Sequence, residues 1–460
     1  MKAIKKLHLI LSIILYSFYS LNAQPWYGQI TYPHDSTGLT SAILTYSNAG
    51  YLMAGSRPNG NGSQPNAVID KVDAAGGFSS FTDFSAGYHI TDCFGGSQRI
   101  CNGISVIETS NYGNGENYAL AVITEGSLLF ATLDASGNPI NTASWPISPI
   151  NNNTQRPKII ESTMNPGQYY ICGSVNRIGY VIKVTYQGFV LWSNWYQPGS
   201  GILEPRDIIE SPYTADQLIV VGRIDVLPAA TAADAFFMTL GTGAGNFLSC
   251  KYYNFLSWDS DDWFSRIKKA DSPTGSDGFI LVGRAHGPLT PPVSSGGRLT
   301  NLFYTPWFCK LDRLGNVVWS SLIRPTVMYD VLNFSSPGEI TDVYERLNQN
   351  NGQYEYYGVS GQDKTSAGNA KLTVYKLDDN GTKGLLNPTE FHYSLGRQVA
   401  FPGPYTYACL TAFDDIGGNN NGFQAFGTAG YGNHYFVKSY FNGEAGCLEI
   451  LTNIDSVKQG

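Results

Sequence analysis

The sequence runs to 460 residues, 42% of them apolar and 14% charged, with 51 glycines and 30 tyrosines. So little charge among so many aromatic residues excludes an intrinsically disordered chain, and glycine without a triplet period excludes collagen. The balance of charge is acidic, a formal −7, which speaks against a nucleic-acid footprint and against docking on anionic lipid.

In chain order, residues 1–23 open on the basic stretch MKAIKK, pass through the apolar run Leu7 to Leu15 and end on Leu21-Asn22-Ala23. This is the pattern of a secretory signal peptide cut before Gln24. Removing Lys2, Lys5 and Lys6 with it leaves 36 acids against 26 bases, a net of −10 on a mature chain of about 437 residues. The leader's apolar run is broken by Tyr, Ser and Asn and ends early, and no later stretch reaches membrane-spanning length, so no transmembrane segment is expected. The product is expected to be secreted, or held at the cell surface through a partner. Of the seven cysteines in that oxidising setting, Cys93 and Cys101 flank FGGSQRI, whose glycines let a small loop close, and a Cys93–Cys101 disulfide is expected. Cys172 and Cys309 lie inside strand-like apolar runs and read as buried free thiols.

From residue 24 to 446 the chain repeats one phrase. Seven segments each give an apolar run, a Lys or Thr, another large residue and a tight glycine turn: NAVIDKVDAAGG (66–77), LLFATLDASGN (128–138), GYVIKVTYQG (179–188), AFFMTLGTGAG (235–245), PWFCKLDRLGN (306–316), LTVYKLDDNG (372–381) and HYFVKSYFNG (434–443). The turn glycines read as Gly76, Gly137, Gly188, Gly243, Gly315, Gly381 and Gly443, since hairpin turns need positive φ. Before each lies a second apolar run, such as YYICGS, LIVVGR or FILVGR, and before that a third, such as PKIIES, RDIIES or TDVYER. A fourth follows the turn, clearest in FVLWSNWY (189–196) and NVVWSSLI (316–323). Four strands in each of seven units of about 60 residues predict an all-β fold, a single seven-bladed β-propeller of four-stranded antiparallel blades. Stacked β-sandwiches would not repeat one four-strand phrase at this spacing. Residues 447–460 supply the last outer strand or a C-terminal tail. PWYGQITY (25–32) competes with CLEILTN (447–453) for the closing place, and the N-terminal segment is favoured.

The phrases KLDRLGNVVWSS (310–321) and KVTYQGFVLWSN (183–194) resemble the Asp-x-x-Gly-x-x-x-Trp turn of quinoprotein-like propellers. They are also similar to the repeats of secreted Bacteroidota propellers, often cargo of the type IX secretion system. The resemblance implies an exported propeller. Such cargo carries a C-terminal β-sandwich sorting domain, and here about 17 residues follow Gly443.

In a propeller, the fourth-to-first and second-to-third connections open on one end. Here they are the long ones: 83–103, 145–157, 254–264, 285–303, 324–340 and 393–407. Binding usually resides on such loops. Among them, WDSDDWF places Asp259, Asp261 and Asp262 between Trp258 and Trp263. This reads either as a Ca²⁺ site or sugar platform, or as a solvated acidic turn whose tryptophans fill the gap between blades; Asp-x-Asp-x-Asp-Gly spacing is missing. Glu108, Glu161, Glu210 and Glu345 recur near the ends of first strands, either ringing a channel with negative charge or capping strand ends in water. No zinc-binding histidine pattern, nucleophile elbow or phosphate loop appears. The expectation is a non-catalytic exported propeller that binds a protein or glycan partner through its long-loop face, with Ca²⁺ the one cofactor weighed. The alternatives are a propeller enzyme acting on polysaccharide or using a redox cofactor, and a structural cell-surface or adhesion component.

Overall fold

The computed structural model describes strand backbone between residues 26 and 440, with their shorter connections, and side chains over 104–110, 115–123, 127–135, 137–147, 157–225, 233–254, 262–271, 277–285, 305–323, 339–348, 350–360 and 373–382, together with Ala54. Residues 1–23, the connection holding Cys93 and the segment 441–460 lie outside the described residues. Every regular element in the described residues is a strand.

Five consecutive meanders have described cores. β5 (Cys101–Glu108), β6 (Tyr118–Thr124), β7 (Ser127–Leu133) and β8 (Pro139–Pro146) form one four-stranded antiparallel sheet. β9 (Lys158–Glu161), β10 (Gln168–Val175), β11 (Ile178–Thr185) and β12 (Val190–Tyr196) form the next. β13 (Ile202–Glu210), β14 (Gln217–Asp225), β15 (Asp234–Gly241) and β16 (Phe247–Tyr253) follow, then β17 (Trp263–Ala270), β18 (Gly278–Pro288), β19 (Leu302–Asp312) and β20 (Val317–Leu322). β21 (Ile340–Asn348), β22 (Gln353–Gln362), β23 (Lys371–Asp378) and β24 (Glu390–Ser394) make the fifth. At the chain's two ends, β2 (Gly38–Thr45), β3 (Gly50–Pro58) and β4 (Pro65–Val72) pair with one another. β25 (Ala408–Asp414), β26 (Asn420–Thr428) and β27 (Asn433–Tyr440) are completed by β1 (Trp26–Thr31), which runs antiparallel to β27 with Gln29 opposite Tyr435.

The core lies between sheets. In β14, Leu218 and Val220 pack with Tyr170, Cys172 and Val181 of the preceding sheet, whereas Ile219 and Val221 pack with Phe264, Ile267, Phe279 and Leu281 of the following one. A strand covered on both faces reads as the unbroken run LIVV, because alternation is required only where one face meets water. The outermost strands meet water, and there the alternation returns: β8 shows half-buried and exposed residues in strict turn. First strands of consecutive sheets, β5, β9, β13, β17 and β21, stand beside one another. Sheets packed face to face in sequence, with first strands inward and fourth strands outward, are the architecture of a β-propeller.

Two recurrent devices join neighbouring sheets. At the outer rim, Trp192 of β12 donates its indole N–H to the Thr242 carbonyl at 3.0 Å, and Trp319 of β20 donates to the Asp379 carbonyl at 2.8 Å, each reaching the tight turn of the next sheet. The second of those turns is closed from within by a carboxylate, Asp378 accepting the backbone N–H groups of Asn380 and Thr382, and Asp312 closes the β19–β20 turn in the same way, accepting those of Leu314 (2.9 Å) and Asn316 (2.7 Å). Near the axis, Glu161 accepts the Ser110 N–H at 2.8 Å, Glu210 the Thr163 N–H at 2.7 Å and Glu345 the Asp271 N–H at 2.9 Å. These three glutamates are thus ties to the preceding sheet. In β17 the same place holds Lys269, and there Tyr213 of the preceding sheet reaches across instead, its hydroxyl 3.0 Å from the Ala270 carbonyl.

One turn glycine is corrected. Between β15 and β16 the positive φ, +66°, belongs to Gly245, not to Gly243, because this turn is longer and brings Gly245 beneath Trp192 of the preceding sheet. Cys172 and Cys309 are buried free thiols, and Cys250 is free and half-buried. Among the described residues no helix is long and apolar enough to cross a membrane.

Candidate functional site

The first strands β9, β13, β17 and β21 carry a charged residue at one shared position: Lys158, Asp207, Arg266 and Asp342. Their signs alternate from sheet to sheet. Asp207 lies 4.0 Å from the Lys158 Nζ and 3.2 Å from Arg266 Nη1, and it also accepts the Ile267 backbone N–H at 2.9 Å. Arg266 Nε reaches Asp342 at 3.2 Å, and Lys268 Nζ approaches the same carboxylate at 3.1 Å. In β5 the position is Ser105, whose hydroxyl accepts the Ile159 N–H at 3.3 Å. Isolated charges this deep would be untenable; in sequence they neutralise one another. Lys158 carries the residual cost, its pKa lowered to about 8 by burial first and by the Arg266 charge second, with Asp207 opposing both.

Toward the start of the same strands the backbone departs from regular pairing. β-Bulges insert Arg206 in β13, Ser265 in β17 and Thr341 in β21. An extra residue in one strand bends it and turns the inserted side chain away from its ordinary face. Arg206 is thereby brought 3.3 Å from Glu339 by Nη1 and 3.8 Å from Glu204 by Nη2, while Arg223 from β14 lies 3.7 Å from Glu204. Ser265 donates its hydroxyl to Glu339. At the centre stands the Trp263 indole, 5% exposed, with the Arg284 guanidinium carbon 3.2 Å from its ring centroid, that of Arg206 at 4.1 Å and that of Arg223 at 6.0 Å. Guanidinium groups stack on an electron-rich indole, which lets several cations share one small volume. Burial opposes ionisation of Glu339, but Arg206 and Arg284 outweigh it and hold the carboxyl below its usual range. This end of the first strands is where the connections 226–232, 255–261 and 324–338 enter or leave the sheets.

Of the residues singled out from sequence, Asp262 is fully buried and donates its N–H to the Ala233 carbonyl at 2.8 Å, and Trp263 is the ring between the arginines. Trp258, Asp259, Asp261 and Cys93 lie outside the described residues; Cys101 opens β5, and at that position only backbone is described. Sequence reasoning passed over Arg206, Arg223, Arg284, Glu204 and Glu339. Arg206 enters through a bulge, which leaves no mark in an apolar pattern, and the repeat phrase singles out none of the others. Among the described residues no group of three or more His, Cys, Asp or Glu side chains gathers as for a metal ion.

No protein-family model and no curated protein matches the chain. Among solved structures, a Dos1 propeller is 11% identical with a TM-score of 0.45, covering 93% of this chain and 97% of that one. A quinohemoprotein alcohol dehydrogenase from Comamonas testosteroni is 10% identical, TM-score 0.46, over 93% of this chain and 77% of its own. The BP39L lectin from Burkholderia pseudomallei is 10% identical, TM-score 0.42, over 85% and 92%. At such identities nothing about ligand or activity passes from them to this chain.

Proposed function

We propose that the chain is an exported seven-bladed β-propeller that binds a protein or carbohydrate partner, without catalysis, at the end of the ring from which the long connections emerge. In favour of a closed ring of seven, β25 touches both β21 and β2, β2 touches β5, and β1 takes the outer place beside β27. Export is read from residues 1–23, whose pattern is that of a secretory signal. The observation that carries the binding reading is the convergence of Arg206, Arg223, Arg284 and Trp263 with Glu204 and Glu339 at that end. Arginine and tryptophan are the side chains that concentrate binding energy at interfaces. Glycoside cleavage needs a general acid kept protonated, a role that does not suit Glu339, whose carboxyl Arg206 and Arg284 hold below its usual range. A glycan array and a pull-down with the purified chain, each followed by an assay for turnover of whatever binds, test the reading. Retention without turnover is the expected outcome. Release of product that disappears on substitution of Glu204 or Glu339 by glutamine would overturn it in favour of an enzyme.

A further inference from the structure

Resting on that reading, we infer that the Arg206–Trp263–Arg284 cluster is a site for an acidic sugar, gripping the carboxylate of a uronate through the guanidinium groups while Glu204 and Glu339 accept from its hydroxyls. Three features of the cluster lead there. The first is Arg206 itself. It is inserted by a bulge rather than placed by the regular strand, its Nε is buried without a hydrogen-bond partner, and its Glu204 contact at 3.8 Å is beyond hydrogen-bond range. A guanidinium presents a planar fork matched to a carboxylate, and here the fork is only half engaged, by Glu339 at 3.3 Å.

The second feature is the mixture of signs. A purely anionic ligand such as glutarate would meet the two glutamates without offering them a donor. A uronate carries a carboxylate for the arginines and vicinal hydroxyls for the glutamates, so both signs find complements in one ring-sized molecule. The third is Trp263. With guanidinium carbons 3.2 and 4.1 Å from its centroid, it orients the arginines and is not an open stacking platform for a neutral sugar. The selectivity therefore has to come from charge.

The test is calorimetric titration of the purified chain with tetragalacturonate, with neutral tetragalactose and with glutarate, at low and moderate salt. Saturable binding of the uronate, at least tenfold tighter than either control and weakening with salt, is expected. R206K keeps the charge but loses the fork and should weaken uronate binding tenfold or more with the melting temperature unchanged. If R206K fails to fold, R223K provides the same comparison. Trp263 fluorescence should respond to the uronate in the wild type, and that response should vanish in W263F. No uronate binding, equal binding of the neutral oligomer, or equal binding of glutarate would each overturn the inference. Capture of a protein or neutral glycan in the same preparation would leave the broader binding reading standing, which keeps the two failures apart.

Discussion

Single residues in this chain do opposite things at turns of similar shape. Gly381 ends the Asp378 turn at φ +71°, and a Cβ built on it would fall against the Trp319 ring that docks there from the preceding sheet. Alanine at 381 is therefore strained twice, by backbone and by contact, and should cost about 1–3 kcal/mol, read as a fall in the urea midpoint. Arg177 shows the converse. It follows Asn176 in the two-residue turn between β10 and β11, and both have positive φ, +52° and +68°. That is a turn in which Asn-Gly is the favoured pair, so the arginine sits in a conformation glycine would adopt freely. R177G should raise stability by roughly 0.5–1 kcal/mol, since the Arg177 carbonyl that accepts the Leu203 N–H is backbone and survives the change. The Asp312 and Asp378 turns were legible from sequence because Asp, Gly and the following polar residue stand within five positions of each other. Gly245 was misplaced by two residues because a glycine-rich turn offers more than one candidate and only the seat beneath Trp192 decides between them.

Strands acquire their charge pattern only as neighbours. Lys158, Asp207, Arg266 and Asp342 are some fifty or more residues apart in sequence and different in type. What unites them is their equal height on adjacent first strands, which topology alone supplies. The same holds for the bulges that insert Arg206 and Ser265, which leave no mark in an apolar pattern. This is why the blades could be read in advance and the axial charges could not. The belt makes its own prediction about pH. Lys158 is faced by Asp207 and Arg266, with Asp342 and Lys268 beyond, and its pKa falls from 10.5 to about 8. Between pH 8 and 10.5 the unfolded chain therefore binds a proton at this site that the folded chain does not. Its contribution to stability rises with pH across that window, and below pH 8 the full cost of a buried charge persists. K158M removes the cost and leaves Asp207 its pairing with Arg266. The variant should be more stable than the wild type at pH 7, with the difference shrinking toward pH 10, as measured by urea midpoints at both values.

At the scale of the whole molecule, each sheet is stabilised by the next, and a break anywhere exposes two apolar faces at once. The repeat was legible because every unit must bury both faces and turn tightly, and those two demands write apolar runs and glycines into the sequence at regular intervals. The closing contact was less so, since two segments suit the same outer place. The pairing of β1 with β27 puts the N-terminal segment there, joining the first strand of the chain to its last sheet. Deletion of residues 26–31 should then leave the edge of β27 unpaired, a template for association with other chains. Such a variant is expected to melt several degrees lower than the full chain and to shift toward larger species on size-exclusion chromatography. Removal of residues 447–460 leaves the β1–β27 ladder intact, so its melting temperature should stay close to that of the full chain. If the C-terminal deletion proved the more damaging of the two, the C-terminal segment and not β1 would hold the ring together in solution.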